Sequence, residues 1–288
     1  MKKILTLLFA GSFLFSVGTG SALRCLACVP PVSREQMEES TRLLARYSTE
    51  YSEKNKAREH NLKLACKRIS GTVLPSGKEF SFNERVGERT KKNGFEEATV
   101  ISCGEYVLGV GGGVCQVSST LFCCALHAGM KITESRAHSL ASSYVPFSLD
   151  AMVSRMSDLK FVNASGAPVF FKMRAEKGRV TAELYGLSDG KYYETESVVL
   201  YYTLPEEDVV EEGTCDEIVR EGKRGVVSES YLLTYDRDGT LLSRRLIRKD
   251  SYAPIRGIVR KKKQENQEKV EETEEKTVAF TDILRYNN

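Results

Sequence analysis

Three consecutive glycines, Gly111, Gly112 and Gly113, run directly into Val114-Cys115-Gln116, and an apolar stripe begins just behind them. Val117, Leu121, Cys124, Ala125 and Ala128 fall at i, i+4, i+7, i+8 and i+11, the spacing of one helical face, and Gly129 stands where a C-terminal cap belongs. Upstream, residues 99–110 read as two strands around Gly104. Cys115 is therefore expected at or just before a helix N-terminus, after a loop that carries no side chains. Orphan N–H groups and the positive helix end stabilise an anion there, which lowers the pKa of a thiol. Glycines also let the backbone approach a ligand closely and can place N–H groups around a developing oxyanion. The same geometry suits a phosphate. However, no Lys-Ser/Thr follows the glycines, and Gly109, Gly111 and Gly113 do not make the dinucleotide fingerprint.

A thiolate nucleophile needs a base and a group that orients it. The chain offers His60, His127 and His138. His60 falls in a charged helical stretch, and His127 sits at the far end of the Cys115 helix, roughly 18 Å away at 1.5 Å per residue. His138 lies in residues 135–144, read as a strand that returns alongside the helix, and Asp150 follows on what reads as the next strand. Cys, helix, His and Asp in that order match the arrangement of transglutaminase-like and papain-like thiol enzymes, an analogy of arrangement only. The bland reading is a packed Cys, a hydrogen-bonded His and an Asp that caps a turn. A zinc site on Cys115, His138 and Asp150 is a third reading, but no short-spaced ligand pair supports it. No metal and no cofactor are expected.

The start of the chain supplies a compartment. Lys2 and Lys3 precede an apolar run over residues 4–17 and a small, polar exit at Thr19-Gly20-Ser21-Ala22, the three-part pattern of a secretory signal. Leu26-Ala27-Cys28 is a degenerate lipobox, so residues 1–28 are a signal peptide or a membrane or lipid anchor. The chain is expected to be exported to the cell envelope, membrane-anchored or secreted. Export permits disulfides without requiring them, and the adjacent Cys123 and Cys124 read as small buried residues. Mean hydropathy of -0.31 excludes a multi-span membrane protein, and a net charge of +3 argues against a nucleic-acid partner.

Along the remaining chain, residues 32–69 are charged, with Met37, Leu43, Leu44, Tyr47 and Tyr51 at helical spacing, and predict a helical leader. Residues 70–190 hold the main domain. Residues 191–260 alternate as strands, with Asp236-Arg237-Asp238-Gly239 as a hairpin turn, and residues 261–288 form a charged tail. Ser118 and Ser119 belong to a hydroxyl cluster that satisfies backbone groups or lines a pocket. Tyr144 flanks the His region, where it packs or binds a ligand. Asp158 and Lys160 read as the exposed face of a half-buried strand. The expected fold class is α+β: a central helix packed on an antiparallel sheet, then a small all-β domain.

Several words of the central region resemble the VanW family. They are residues 111–121 (GGGVCQVSSTL), His138-Ser139, Tyr144-Val145-Pro146, Asp150-Ala151, and Asp158-Leu159-Lys160-Phe161 with Asn163. Upstream, Phe80-Ser81-Phe82-Asn83, Val86-Gly87, Arg89-Thr90, Gly94-Phe95 and Ala98 follow the same pattern, so the resemblance covers about residues 70–186. One departure is visible. Ser148-Leu149 stand where the family usually carries Gly and a basic residue before Asp-Ala. More weakly, residues 221–235 and 244–252 resemble the small β domain called G-five, a surface domain that implies binding rather than chemistry. The VanW resemblance implies a place at the cell envelope near peptidoglycan and a link to glycopeptide resistance.

Two functions of different classes follow. In one, Cys115 is the nucleophile, His138 the base and Asp150 the orienting group of a hydrolase or transpeptidase acting on peptidoglycan peptides. Gly111, Gly112, Gly113, Gln116, Ser118, Ser119 and Tyr144 are then the binding residues. In the other, the protein is a non-catalytic wall-binding or scaffold module and Cys115 is structural.

Overall fold

The computed structural model describes residues 42–262 except 103 and 214. The expected leader over 1–28 lies outside the described residues, as does the tail over 261–288 apart from its first two residues, which end a strand. The chain opens with β1 (Leu43–Glu50) and α1 (Lys56–Ile69). The expected single helix over 32–69 is corrected here: its described part is a strand followed by a helix. The reason lies in the period. Ala45 and Thr49 are buried and Tyr47 partly so, while Arg46, Ser48 and Glu50 face out or lie shallow, an alternation of two that i, i+4 spacing also satisfies. Asn55 stops the strand pattern and caps α1, accepting the Arg58 amide at 2.9 Å. Leu62, Cys66 and Ile69 then form its buried stripe.

Next come β2 (Val73–Leu74), β3 (Glu79–Ser81), the short α2 (Phe82–Val86), β4 (Glu97–Ser102) and β5 (Glu105–Val110). The last two form the hairpin read around Gly104, pairing Glu97 with Val110 through Ser102 with Glu105. The glycine loop leads into α3 (Val114–His127) as expected, and Gly129 takes the left-handed φ of 69° just past its end. The chain continues through β6 (Lys131–Glu134), β7 (Lys160–Val162), β8 (Val169–Glu176) and β9 (Arg179–Tyr185). It ends in β10 (Tyr192–Thr203), β11 (Glu207–Gly213), β12 (Glu217–Arg220), β13 (Gly225–Tyr235), β14 (Leu241–Tyr252) and β15 (Gly257–Lys262).

These strands form a sheet in the order β1-β9-β8-β2, three-stranded sheets β10-β13-β14, β11-β15-β12 and β3-β7-β6, and the β4-β5 hairpin. Pairings are antiparallel except β11 with β15. The fold is thus mostly strand with few helices.

The α3 helix has no solvent face. Every residue from Gln116 to Leu126 is buried, including the polar Gln116, Ser118, Ser119 and Thr120. A helix enclosed all round must satisfy its polar side chains internally. Thr120 Oγ1 meets Thr49 Oγ1 of β1 at 2.8 Å, and Cys124 Sγ lies 3.5 Å from the Ala45 oxygen and 3.4 Å from that of Ala182. On another side, Arg248 of β14 covers the Phe122 ring, and Leu232 of β13 belongs to the same buried cluster as Leu121 and Phe122.

Residues 135–159 hold no strand, which corrects the two strands expected around His138 and Asp150. Their backbone groups go to α3 and β14 instead. Ser118 Oγ donates to the Ala151 oxygen at 2.6 Å, Ser119 Oγ accepts from the Ala151 amide at 2.9 Å, and the Ala253 amide donates to the Ser139 oxygen at 2.8 Å. A Ser-rich segment without alternation can take such partners in place of a ladder.

Gly112 marks how tightly the loop is held. A Cβ there would lie 2.6 Å from the Ala98 carbonyl carbon and oxygen. Gly112→Ala is therefore expected to cost about 1–3 kcal/mol through overpacking, read as a lower urea midpoint.

Candidate active site

The N-cap of α3 is Gly113, at φ 103°, a left-handed conformation that a side chain would strain. The Val114 and Gln116 amides turn back to the Gly111 and Gly113 oxygens, at 3.1 Å and 2.8 Å. Among the described residues the Cys115 amide has no hydrogen-bond partner. The thiol beside it is half-buried, 3.5 Å from the Val153 oxygen to which its neutral form can donate.

The Ser118 and Ser119 hydroxyls fasten residues 150–151 onto α3, and the loop between brings His138 over the thiol. His138 Nδ1 donates to Asp150 Oδ2 at 2.5 Å, and the His138 amide donates to the same oxygen at 2.7 Å. That leaves Nε2 for Cys115, which lines the same cavity and whose charge acts on the ring. Cys115, His138 and Asp150 therefore meet, although neither His138 nor Asp150 stands on a strand. Asp150 is 1% exposed, and its second oxygen accepts from Arg248 Nη2 at 2.9 Å and from the Tyr252 hydroxyl at 2.6 Å. Both Asp150 oxygens are thus satisfied, and the imidazole is fixed by them. Among the described residues no group of three His, Cys, Asp or Glu is placed to hold a metal.

The electrostatics follow from these contacts. Burial alone would raise the Cys115 thiol, but the hydrogen bond and charge of His138, the Val153 backbone and Arg89 outweigh it and hold the thiol below its ordinary value. Burial works against a charged His138 as well. Its hydrogen bonds to Asp150 and Cys115 reverse that and carry its pKa up to about 9. Burial would raise Asp150 too, yet His138, Arg248 and Tyr252 keep it ionised. Both shifts favour a thiolate beside an imidazolium. By contrast, burial dominates at the other buried cysteines, pushing Cys66 and Cys123 up to about 12 and raising Cys124 as well. The described cysteines are free thiols.

The thiol opens onto a cavity of about 740 Å³. Gly111, Gly113, Gln116 and Tyr144 line it, whereas Gly112, Ser118 and Ser119 do not. The loop glycines serve packing more than ligand approach. A Cβ on Gly111 would sit 2.7 Å from Arg89 Cβ, and one on Gly113 would sit 3.0 Å from Arg58 Cγ. Gln116 neither caps the helix nor keeps a free amide: its oxygen accepts from Arg58 Nη2 at 2.8 Å and its nitrogen donates to Thr49 Oγ1 and the Glu50 oxygen. Tyr144 stands beside Cys115 and Arg58, and burial raises its pKa, so it remains a neutral phenol. Ser148, at the departure from the family pattern, has φ 59°, the left-handed region where glycine is unstrained. Its hydroxyl is tied to Ser228 Oγ at 2.8 Å and its amide to the Tyr252 hydroxyl at 2.7 Å. Asp158 is buried rather than exposed, accepting from Ser81 Oγ at 2.6 Å and the Asn83 amide at 2.9 Å, while Lys160 does pair with Glu134 at the surface.

Sequence reasoning missed Arg58, Arg89, Arg248 and Tyr252. Arg89 lay in a quoted family word. Arg248 and Tyr252 lie 98 and 102 positions from Asp150, in strands read as a separate module, and no spacing signal links them.

Comparison with known proteins agrees with this region. The family model described as VanW like protein matches residues 57–185, so that part of the chain is VanW-like. The chain is 40% identical over 147 residues to the uncharacterized protein YoaR of Bacillus subtilis (strain 168), covering 51% of this chain and 48% of YoaR. It is 33% identical over 78 residues to the vancomycin B-type resistance protein VanW of Enterococcus faecalis (strain ATCC 700802 / V583), covering 27% of this chain and 28% of that protein. The chain thus spans about half the length of the first of these relatives and less of the second. An IgA1 protease G5 domain overlaps 26% of this chain and 92% of its own at 20% identity and a TM-score of 0.20. The HP0197-G5 structure overlaps 25% of this chain and 96% of its own at 16% identity and a TM-score of 0.16. Overlaps that slight carry no argument about the C-terminal strands. Among the described residues no helix is long and apolar enough to cross a membrane.

The geometry predicts two outcomes. Tyr252→Phe leaves the Ser148 amide without its acceptor and Asp150 without a donor, so a loss of about 1–3 kcal/mol is expected in urea unfolding. The His138 pKa is raised from 6.5 to about 9 on folding, so the stability from its charged form is complete below 6.5 and is lost as pH rises through about 9. The gap in urea midpoint between the wild type and His138→Gln is expected to be widest near pH 6 and to narrow towards about pH 9.5.

Proposed function

We propose that the protein is a cell-envelope cysteine enzyme that cleaves or exchanges an amide bond in peptidoglycan peptides. The observation that carries this reading is Cys115 and His138 lining one cavity, the imidazole held by Asp150, with a lowered thiol at a helix N-terminus. The arrangement of nucleophile, helix, His and Asp in chain order supports the comparison with papain-like and transglutaminase-like enzymes, with irregular segments in place of their strands. The VanW-like domain and the resistance named for one relative favour the cell wall as the place of action.

In this mechanism the Cys115 thiolate attacks the carbonyl carbon of the scissile amide and the carbonyl oxygen takes the negative charge. The unpartnered Cys115 amide at the start of α3 donates to that oxygen. The imidazolium gives its Nε2 proton to the leaving nitrogen as the C–N bond breaks, leaving a thioester on Cys115 and a neutral imidazole. Water or an incoming amine then loses a proton to Nε2 while attacking the thioester carbon, and the thiolate departs. Asp150 keeps Nδ1 protonated and the ring oriented throughout.

The test is incubation of the purified protein with peptides released from peptidoglycan, followed by mass spectrometry of peptides and protein. The expected result is a shortened or exchanged peptide and an acyl adduct on Cys115, both absent from Cys115→Ala. Full processing by Cys115→Ala would sink the proposal.

A further inference from the structure

Two guanidinium groups flank the thiol without a carboxylate to neutralise them. Arg58 Nη2 donates to Gln116 Oε1 at 2.8 Å, and Arg89 Nη1 donates to Asn83 Oδ1 at 2.6 Å and, more weakly, to the Gly87 oxygen at 3.4 Å. Among the described residues neither has an ion-pair partner. Both are partly withdrawn from water, and burial lowers the pKa of each. A guanidinium carries five N–H donors, so most of those on each side chain are unused.

Their placement is built, not incidental. The stem of Arg89 occupies the space a Gly111 Cβ would need, and the stem of Arg58 closes on the corresponding space at Gly113. The Arg58 head is fixed by Gln116, whose amide is itself held by β1, and the Arg89 head is fixed by Asn83, which also donates to the Ser154 and Ser157 oxygens. The cavity they line carries Arg58, Arg89 and the exposed Arg155 against a single acidic residue, the exposed Glu88. Asp158 acts on Arg89 at longer range, but its oxygens already accept from Ser81, Asn83 and Leu159.

We infer that Arg58 and Arg89 form a carboxylate-binding subsite beside Cys115, so the substrate is a peptide with an acid group next to its reacting amide. Planar guanidinium forks match a carboxylate in geometry and charge, and a partly desolvated site strengthens the pairing. The acid is a terminal carboxylate or the side chain of an acidic residue; both present the same group. This inference rests on the reading of Cys115 as an accessible nucleophile.

The probes are iodoacetate and iodoacetamide, which differ in charge at the position next to the reacting carbon. Their rates at Cys115 would be followed by mass mapping in the wild type, Arg58→Gln, Arg89→Gln, the double Gln variant of both, Arg58→Lys, Arg89→Lys and His138→Ala. Taking the ratio of the two rates within each protein cancels changes in thiolate fraction. The ratio is expected to favour iodoacetate in the wild type, to fall about tenfold in the double Gln variant, and to recover in part with Lys. A ratio unchanged by the Gln variants, or one that falls only with His138→Ala, overturns the subsite and leaves the nucleophile standing. A Cys115 inert to both reagents in the folded protein instead overturns the nucleophile. The subsite is then decided by calorimetry on Cys115→Ser with N-acetyl-dialanine, its amide, and N-acetyl-glutamyl-alaninamide. Binding of either acid over the neutral amide, lost with Arg58→Gln, upholds the subsite and identifies which carboxylate it takes. Equal binding of all three overturns it.

Discussion

A carboxylate taken out of water costs several kcal/mol unless donors meet its oxygens, and in this fold the arrangement around Asp150 answers that requirement. Its oxygens receive the His138 amide and ring, Arg248 and the Tyr252 hydroxyl. These donors come from two distant parts of the chain. Meeting them fixes the loop that carries His138, and it fixes that loop against β14. The strands after residue 191 are therefore part of the site's scaffold. They share buried contacts with α3 through Leu232 and Arg248 and hold the Ser148 turn through Ser228 and Tyr252.

The buried helix is the second constraint. Because α3 is enclosed on all sides, its polar residues act as internal fasteners: Thr120 to β1, Gln116 to β1 and Arg58, Ser118 and Ser119 to the backbone beside Asp150. Cys115 is the exception, left half-buried at the one end that opens to the cavity. The surroundings of Cys115 are thus held by side chains that look, in sequence, like candidates for binding.

The glycine loop shows how a correct position can carry an incomplete reason. Its placement before a helix follows from the absence of side chains and the stripe behind it, and the helix begins there. Of the three glycines expected to face a ligand, only Gly111 and Gly113 line the cavity. Gly112 is pressed on the Ala98 backbone, and its two neighbours are backed by arginine stems. Close approach of one's own chain and close approach of a ligand leave the same mark in a sequence.

Local rules were enough for the hairpin at Gly104, the span of α3, the turn after Tyr235, and the order of Cys115, His138 and Asp150. Each depends on residues within a few positions of one another or on a residue type in a fixed order. Local rules misread Leu43–Glu50, where periods of two and of four coincide, and residues 135–159, whose partners are side chains of α3 rather than a neighbouring strand. Only the tertiary structure decided that Asp150 holds His138 beside the cavity that Cys115 lines, that Arg248 and Tyr252 hold Asp150, and that Arg58 and Arg89 line the same cavity. Those contacts join residues roughly 100 positions apart, or depend on which neighbour fills the space above a glycine, and a one-dimensional pattern holds no record of either.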